Sequence, residues 1–320
     1  MHLGKHLTPV GLLASLLVAC ASTPNDSGST SVACRALTAG PAARPNGWGG
    51  SVFTIVMENH SSGEIFGNPD APYINSLAAG GAIAAGYHDS YVHPSEPNYL
   101  WMIAGENFGI LDDSDPGPSN TIGAQSHLAD QLELAGLTWR AYEEGMGAPC
   151  GLVSHDRYAA KHDPFVYFDD LNGWDGTSFA PDTRCTDHVV DYAQLDADLA
   201  AGTLPDYVFI TPDLDDDMHD GSIAQGDAWL AAQLPKLLAT SAYQNGGALF
   251  VVWDEGGNSG DDPPFLVVSP NTSPGTVSQT SYDTSSFLLT VEKILGVQPL
   301  PCSATPDAVA PMSDLFTTPL

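Results

Sequence analysis

The chain is 320 residues long, with 39 Asp and Glu against 9 Lys and Arg and a formal net charge of −30 at neutral pH. So acidic a surface repels DNA, RNA and anionic lipid, which excludes nucleic acid as a partner. The length suits one large α/β domain with a substantial core, and an anionic substrate would need a local positive centre that so few cations supply poorly, which favours a bound metal ion.

The chain opens with Lys5 between His2 and His6, and an apolar run from Val10 ends at Leu17-Val18-Ala19-Cys20. That pattern is a secretory signal closing on a lipobox, which makes Cys20 the lipidated first residue of the mature chain. The run falls short of the ~20 residues that span a bilayer. The segment from Ala21 to Val32 is rich in Ser, Thr, Gly, Pro and Asn and reads as a tether. The expected organisation is a signal peptide at 1–19, a tether at 20–33 and one domain at 34–320. Such a protein is exported and held to the cell envelope by its lipid alone, facing periplasm or exterior, and nothing in the sequence sets an oligomeric state. The remaining cysteines, Cys34, Cys150, Cys185 and Cys302, are even in number and none lies in a C-x-x-C pair, so disulfides are favoured over zinc. Three pairings are open; the favoured one joins Cys150 to Cys185 across an irregular loop and Cys34 to Cys302 near the two ends.

In chain order, strands are expected at Val52–Met57, Leu137–Tyr142, Tyr207–Thr211, Ala248–Trp253 and Phe265–Ser269, all short and rich in β-branched and aromatic residues. Helical patterns fall at Ile74–Ala79, Ser126–Ala135, Asp191–Ala200, Ser222–Ala239 and Ser285–Leu295, with loops at Asp112–Asn120 and Asn172–Thr186. The alternation predicts an α/β fold with a mostly parallel central sheet and helices on both faces.

Acidic residues follow the expected strands: Glu58-Asn59 after the first, Glu143-Glu144 after the second, Asp213 to Asp217 and His219 after the third, and Asp254-Glu255 after the fourth. Strand carboxyl ends form the ligand crevice of such sheets, and like charges gathered there demand protons or a cation. Glu143, Glu144 and the middle of the Asp run are read as solvated turn acids or helix caps. In His93-Pro94-Ser95-Glu96-Pro97-Asn98, Pro97 suits the first turn of a helix and places Ser95 just outside its N-terminus. A hydroxyl there faces free N–H groups and the positive end of the helix dipole, a favourable place for phosphate. Locally, Ser95 reads equally as an N-cap.

Several ordered stretches resemble a known family: Val56 to Ser61, Glu64 to Asn68, His93 to Gly105, Lys161-His162-Asp163-Pro164-Phe165, Asp217-Met218-His219-Asp220, Trp253-Asp254-Glu255 and Met312 to Phe316. They are similar to the bacterial phosphoesterase family of acid phosphatases and phospholipases C, within the alkaline phosphatase superfamily. The resemblance implies a phosphoric ester hydrolase acting on a phosphoester through a phosphoseryl intermediate on Ser95. It implies a divalent metal (Mg, Ca, Mn or Zn) held by Glu58, Asn59, Asp254, Glu255 and Ser95. His219 would contact the phosphoryl oxygens or protonate the leaving group, with His162 and His93 further members of the pocket. Where many relatives carry a histidine before the C-terminal helix, this chain has Tyr282-Asp283-Thr284-Ser285. Two alternatives are carried: a phospholipase C-type phosphodiesterase using the same site, and a non-catalytic surface lipoprotein that binds.

Overall fold

The computed structural model describes residues 37–90, 92–258, 260–300 and 309–320. The expected signal, the tether, Cys20, Cys34 and Cys302 lie outside the described residues. Strands β1 (Val52–Met57), β2 (Ala82–Ala84), β3 (Trp139–Glu143), β4 (Val189–Asp191), β5 (Tyr207–Thr211), β6 (Ala248–Trp253), β7 (Phe265–Val268) and β8 (Thr276–Ser278) form one sheet in the order β4-β3-β5-β1-β6-β7-β2-β8. All run in one direction except β7, which is antiparallel to both of its neighbours, β6 and β2. The α/β architecture expected from the strand and helix alternation is therefore present.

Among the described residues six longer helices cover the sheet: α1 (Pro72–Gly80), α2 (Ser95–Ala104), α3 (Leu128–Leu134), α4 (Ala193–Ala201), α5 (Ile223–Leu238) and α6 (Thr284–Leu295). Because side chains alternate along a strand, β1 sends Val52 and Val56 toward α2, α3 and α6, and Phe53, Ile55 and Met57 toward α1, α4 and α5. All six β1 residues are buried, and five are apolar. At ~1.5–3 kcal/mol for each, that strand alone supplies on the order of 10 kcal/mol before chain entropy is counted. Burial on this scale is what allows charged groups to be held at the strand's end.

Several local expectations are corrected. The strand expected from Leu137 begins at Trp139, because Leu137 N–H closes the end of α3 by donating to Leu132 O at 2.8 Å. Strands β2, β4 and β8 were not expected; each has three residues, too few to display an alternating pattern. The loop expected at Asn172–Thr186 ends in a helical turn, Thr183–Thr186, capped by Asp182 accepting from Arg184 N–H at 2.8 Å. That turn buries Cys185, which is joined to Cys150 as a disulfide.

Ser95 is not outside its helix but is the first residue of α2, with Pro94 in the capping position. Pro97 is then the third helical residue, tolerated because first-turn N–H groups have no intrahelical acceptor to lose. At the position where a histidine was noted as missing, the residues are structural. Asp283 caps α6 by accepting from Ser286 N–H at 2.8 Å, and Tyr282 donates to Asp314 Oδ1 at 2.7 Å. Asp314 also accepts from Ser278 at 2.6 Å and Thr280 at 2.8 Å, so the Met312–Phe316 stretch fastens the sheet edge.

Candidate active site

The parallel register sets Met57 of β1 beside Trp253 of β6, so the residues that follow, Glu58-Asn59 and Asp254-Glu255, emerge together. Asp254 N–H donates to Met57 O at 3.1 Å, and Glu58 N–H donates to Asp217 O at 2.8 Å, which draws in the segment after β5. Asn59 takes a left-handed backbone, φ +46°, a conformation Asn tolerates better than most residues. Its N–H faces Asp254 Oδ1 at 3.4 Å.

Helix α2 brings Ser95 to this edge. The hydroxyl, 1% exposed, donates to Glu58 Oε2 at 3.1 Å rather than capping its own helix. Glu96 N–H, one of the helix N-terminal donors expected to be free, instead donates to Asp113 Oδ1 at 3.1 Å. One turn down α2, Asn98 donates to Glu255 Oε2 at 3.2 Å, and His93 Nδ1 is hydrogen-bonded to the same oxygen.

The histidines arrive from separate loops. His162 ends the short turn Ala160–His162 and stacks on Tyr99 of α2, with centroids 5.0 Å apart. Its Nε2 lies 3.3 Å from Glu58 Oε1 and its Nδ1 3.3 Å from Asp217 Oδ2. His219, whose N–H donates to Asp217 Oδ1 at 2.7 Å, has its ring 5.7 Å from that of His162. Its Nδ1 faces Asp220 Oδ1 at 2.8 Å, and its Nε2 faces Lys161 Nζ at 3.2 Å. Lysine can only donate, so Nε2 is the acceptor and the Nδ1–H points at Asp220. The structure thus gathers Ser95, His93, His162, His219, Glu58, Asn59, Asp254 and Glu255 at one sheet edge.

The acids of this edge are buried and crowd one another. Burial, then Asp254 and Asp217, hold the Glu58 carboxyl well above the ordinary carboxylate range. Burial and then Glu255 do the same to Asp254. Burial is also the chief cause that lifts Asp217 to about 9 and Glu255 to about 7. Burial, helped by Lys161 and His219, pushes the His162 imidazole well below its usual value, so it is neutral. Glu58 Oε1, Asn59 Oδ1 and Asp254 Oδ2 are buried without a hydrogen-bond partner. Orphaned oxygens on acids that raise one another's proton affinity have the donor chemistry that suits a divalent cation. Glu58, His162 and His219 also place donor atoms within 4.8 Å of one another, a second grouping that shares Glu58.

Two other clusters of charged groups have partners of their own. Arg184 pairs with Asp130, Glu133 and Asp170 around His127. Asp213 caps the turn at Asp215 and Asp216, as expected of turn acids, while Glu144 accepts from Asp213 N–H and Trp229 Nε1; burial lifts Glu144 to about 7 and Asp216 to about 6, and with Asp213 they place oxygens within 4.8 Å of one another. Glu143 is a correction: the last residue of β3 is 1% exposed, and burial and then Asp163 hold its carboxyl well above the usual range, so it is no solvated turn acid. A cavity of about 750 Å³ opens at the opposite edge of the sheet, beside Ser51, Asp206 and Lys236, far from these groups. Sequence reasoning gave the Asp217–Asp220 segment only as a place for a second metal, quoted Lys161 and Tyr99 only inside motif stretches, and did not single out Asp113 for the site. A lysine next to His162 in a chain with 9 cationic residues was the available signal.

Comparison with known proteins shows the family of the chain. The model of the Phosphoesterase family matches residues 52–298. The chain is 36% identical over 267 residues to a phosphatidylinositol-3-phosphatase of Mycobacterium tuberculosis, covering 83% of this chain and 82% of that one. It is 29% identical over 254 residues to a probable acid phosphatase of Kluyveromyces lactis, covering 75% of this chain and 56% of the yeast protein, little more than half its length. Among solved structures, a protein of the alkaline phosphatase superfamily from Vibrio parahaemolyticus superposes with a TM-score of 0.55 at 12% identity, over 84% of this chain and 71% of its own, a likeness of fold. The chain belongs to the Phosphoesterase family and is a phosphoric ester hydrolase.

Proposed function

We propose that the protein hydrolyses phosphate monoesters through a phosphoseryl intermediate on Ser95. The observation that carries this reading is the Ser95 hydroxyl donating at 3.1 Å to Glu58, beside buried, unpartnered oxygens of Glu58, Asn59 and Asp254. The relatives' names, phosphatidylinositol-3-phosphatase and acid phosphatase, support the monoester half of it. Glu58, Asn59, Asp254, Glu255 and Ser95 would hold one divalent ion, with Mg, Ca or Mn suited to oxygen donors and Zn the other choice; when bound it supplies positive charge for the phosphoryl oxygens and favours the serine alkoxide.

The chain's own residues carry the proton traffic. As Ser95 Oγ bonds to phosphorus and the bond to the leaving oxygen breaks, the serine proton passes to Glu58 Oε2, its acceptor in the structure. His219 protonates the leaving oxygen from Nε2 after Lys161 has moved off that nitrogen and the ring has taken a proton there from solvent water, with Asp220 as counter-ion. In the second half His219 takes a proton from water as its oxygen bonds to phosphorus. Ser95 Oγ then leaves, regains its proton from Glu58, and free phosphate departs. His93, bonded to Glu255, holds that carboxylate in place.

We further propose the arrangement of a signal at 1–19, a tether at 20–33 and a catalytic domain at 34–320, exported and anchored by lipid on Cys20. Among the described residues no helix is long and apolar enough to cross a membrane. Mass analysis of the mature N-terminus checks the anchor, and an unlipidated start elsewhere refutes it.

The test of the mechanism is Ser95→Ala, expected to lower turnover by at least about 10³-fold with the melting temperature nearly kept. Acid quench of the wild type during turnover should yield a phosphorylated peptide containing Ser95. Near-normal turnover by Ser95→Ala overturns the proposal. Loss of turnover after metal removal, restored by one divalent ion per chain, is the companion result; full activity in metal-free protein refutes the metal half.

A further inference from the structure

Lys161 stands out in a chain where acidic residues outnumber basic ones by 39 to 9. Its side chain, 16% exposed, reaches the sheet edge that holds Ser95, and its positive charge bears on Glu58, Asp217 and Glu255. Two of its three donors are placed: one on Asp113 Oδ2 at 2.9 Å, one on His219 Nε2 at 3.2 Å. Asp113 is itself fixed, because its other oxygen accepts the N–H of Glu96, the residue after Ser95. An unbroken path of hydrogen bonds therefore ties the ammonium to the first turn of the nucleophile's helix on one side and to His219 on the other.

This path also rests on a built loop. Asn120 donates to the Glu96 carboxyl at 3.3 Å, and Tyr167 donates to Ser114 O at 3.0 Å, so the segment that follows Asp113 is pinned at Ser114 and again at Asn120. The nearby Arg157 does not compete for the role, since its guanidinium is paired with Asp215 at 3.1 Å and Asp220 at 2.8 Å.

We propose that Lys161 is the specificity-determining residue that selects phosphate monoesters over diesters, with Asp113 as its positioning residue; this rests on the reading of Ser95 as nucleophile. A monoester offers the ammonium a doubly charged group with three non-bridging oxygens. A diester offers a single charge over two such oxygens and sets a substituent where the third would lie. An ammonium held by Asp113 and His219 with one donor left over meets the first demand and gains little from the second. Lysine suits this as a compact charge on a flexible stem, able to leave His219 for the phosphoryl group. Its departure is also what frees His219 Nε2, so substrate binding and readiness of the acid are linked.

The experiment compares purified Lys161→Met, Lys161→Arg and Asp113→Asn with the wild type on 4-nitrophenyl phosphate and bis(4-nitrophenyl) phosphate, with inorganic phosphate as inhibitor. Melting temperature and metal content are followed in each variant. Lys161→Met should lower kcat/KM for the monoester by about 100-fold, the effect of deleting one donor to a charged transition state, and for the diester by less than about tenfold. The inhibition constant for phosphate should rise with it, Lys161→Arg should recover part of the loss, and Asp113→Asn should fall between. Equal losses on both substrates, or unchanged inhibition by phosphate, overturn the proposal. If diester turnover is below detection, phosphate inhibition decides alone. Trapping separates this from the wider reading: a wild type that forms no phosphoseryl peptide refutes the nucleophile, whereas a trapped wild type with an indiscriminate Lys161→Met refutes the selectivity.

Discussion

Asn59 is the second residue past β1, at φ +46°, and its side-chain oxygen is buried without a partner. Two explanations for an asparagine here make different demands. If only the backbone matters, glycine serves as well or better, since it lacks the Cβ that makes the left-handed region costly by ~1–2 kcal/mol. If the amide oxygen is a metal ligand, glycine removes it. We expect Asn59→Gly to melt within a few degrees of the wild type in metal-free buffer, yet to bind the divalent ion at least about tenfold more weakly and to lose turnover in proportion. Titration calorimetry of metal binding measures this, and wild-type affinity in Asn59→Gly would remove Asn59 from the ligand set. Met218, also in a left-handed backbone at φ +82°, lies between Asp217 and His219, and there the long side chain points into the core beneath α5. Of the positive-φ residues other than glycine, these two lie in the segments that follow β1 and β5 and lead into the site.

Elements could be read from the sequence where their pattern was long enough to be seen. Strands β1, β5 and β6 were expected with the bounds they have, because each is a continuous apolar run closed by an acid or a proline. The three-residue strands β2, β4 and β8 exist only through pairing with neighbours, which no local pattern records. The carboxylates of the site were legible for the same reason as the strands, since a parallel sheet aligns its carboxyl ends. Lys161 and Asp113 were not, because what joins them is the path of two loops folding over α2. A similar convergence outside the site makes a pH-sensitive element at α3. His127 caps that helix, is fully buried, and lies 3.7 Å from Asp130 and 3.4 Å from Asp170. Burial pushes its imidazole down, but the two carboxylates outweigh burial and hold it above its usual value of 6.5. A group raised in this way contributes stability in full below pH 6.5, and that stability is lost as pH rises through the folded value. Asp170, lowered to about 2, stays ionised throughout and adds no slope there. In metal-loaded protein the melting temperature should therefore fall from pH 6 to 8 more steeply in the wild type than in His127→Gln, whose poorer cap gives only a constant offset. Parallel curves for the two proteins would show that His127 does not titrate in that window.

At the scale of the molecule, the charge of −30 acts on everything that approaches the crevice. A dianionic substrate is repelled at long range by the surface and attracted at short range by Lys161 and by the divalent ion proposed for Glu58, Asn59, Asp254 and Glu255. Salt separates the two effects. Between about 0.01 and 0.15 M the Debye length shortens from about 30 to 8 Å, which removes most of the long-range field while leaving contacts inside a crevice with buried walls largely intact. If association is limited by the repulsive surface, kcat/KM for a dianionic monoester should rise as sodium chloride is added over that range, the reverse of the usual behaviour of a steered enzyme. A zwitterionic monoester of lower net charge should respond less, because the long-range term scales with substrate charge. The effect belongs in kcat/KM and not in kcat, since the bound complex has already crossed the field. A steady fall in kcat/KM from the lowest salt would mean that the crevice's own positive groups govern capture at a distance, and that the acidic surface contributes solubility but does not shape the approach of substrate.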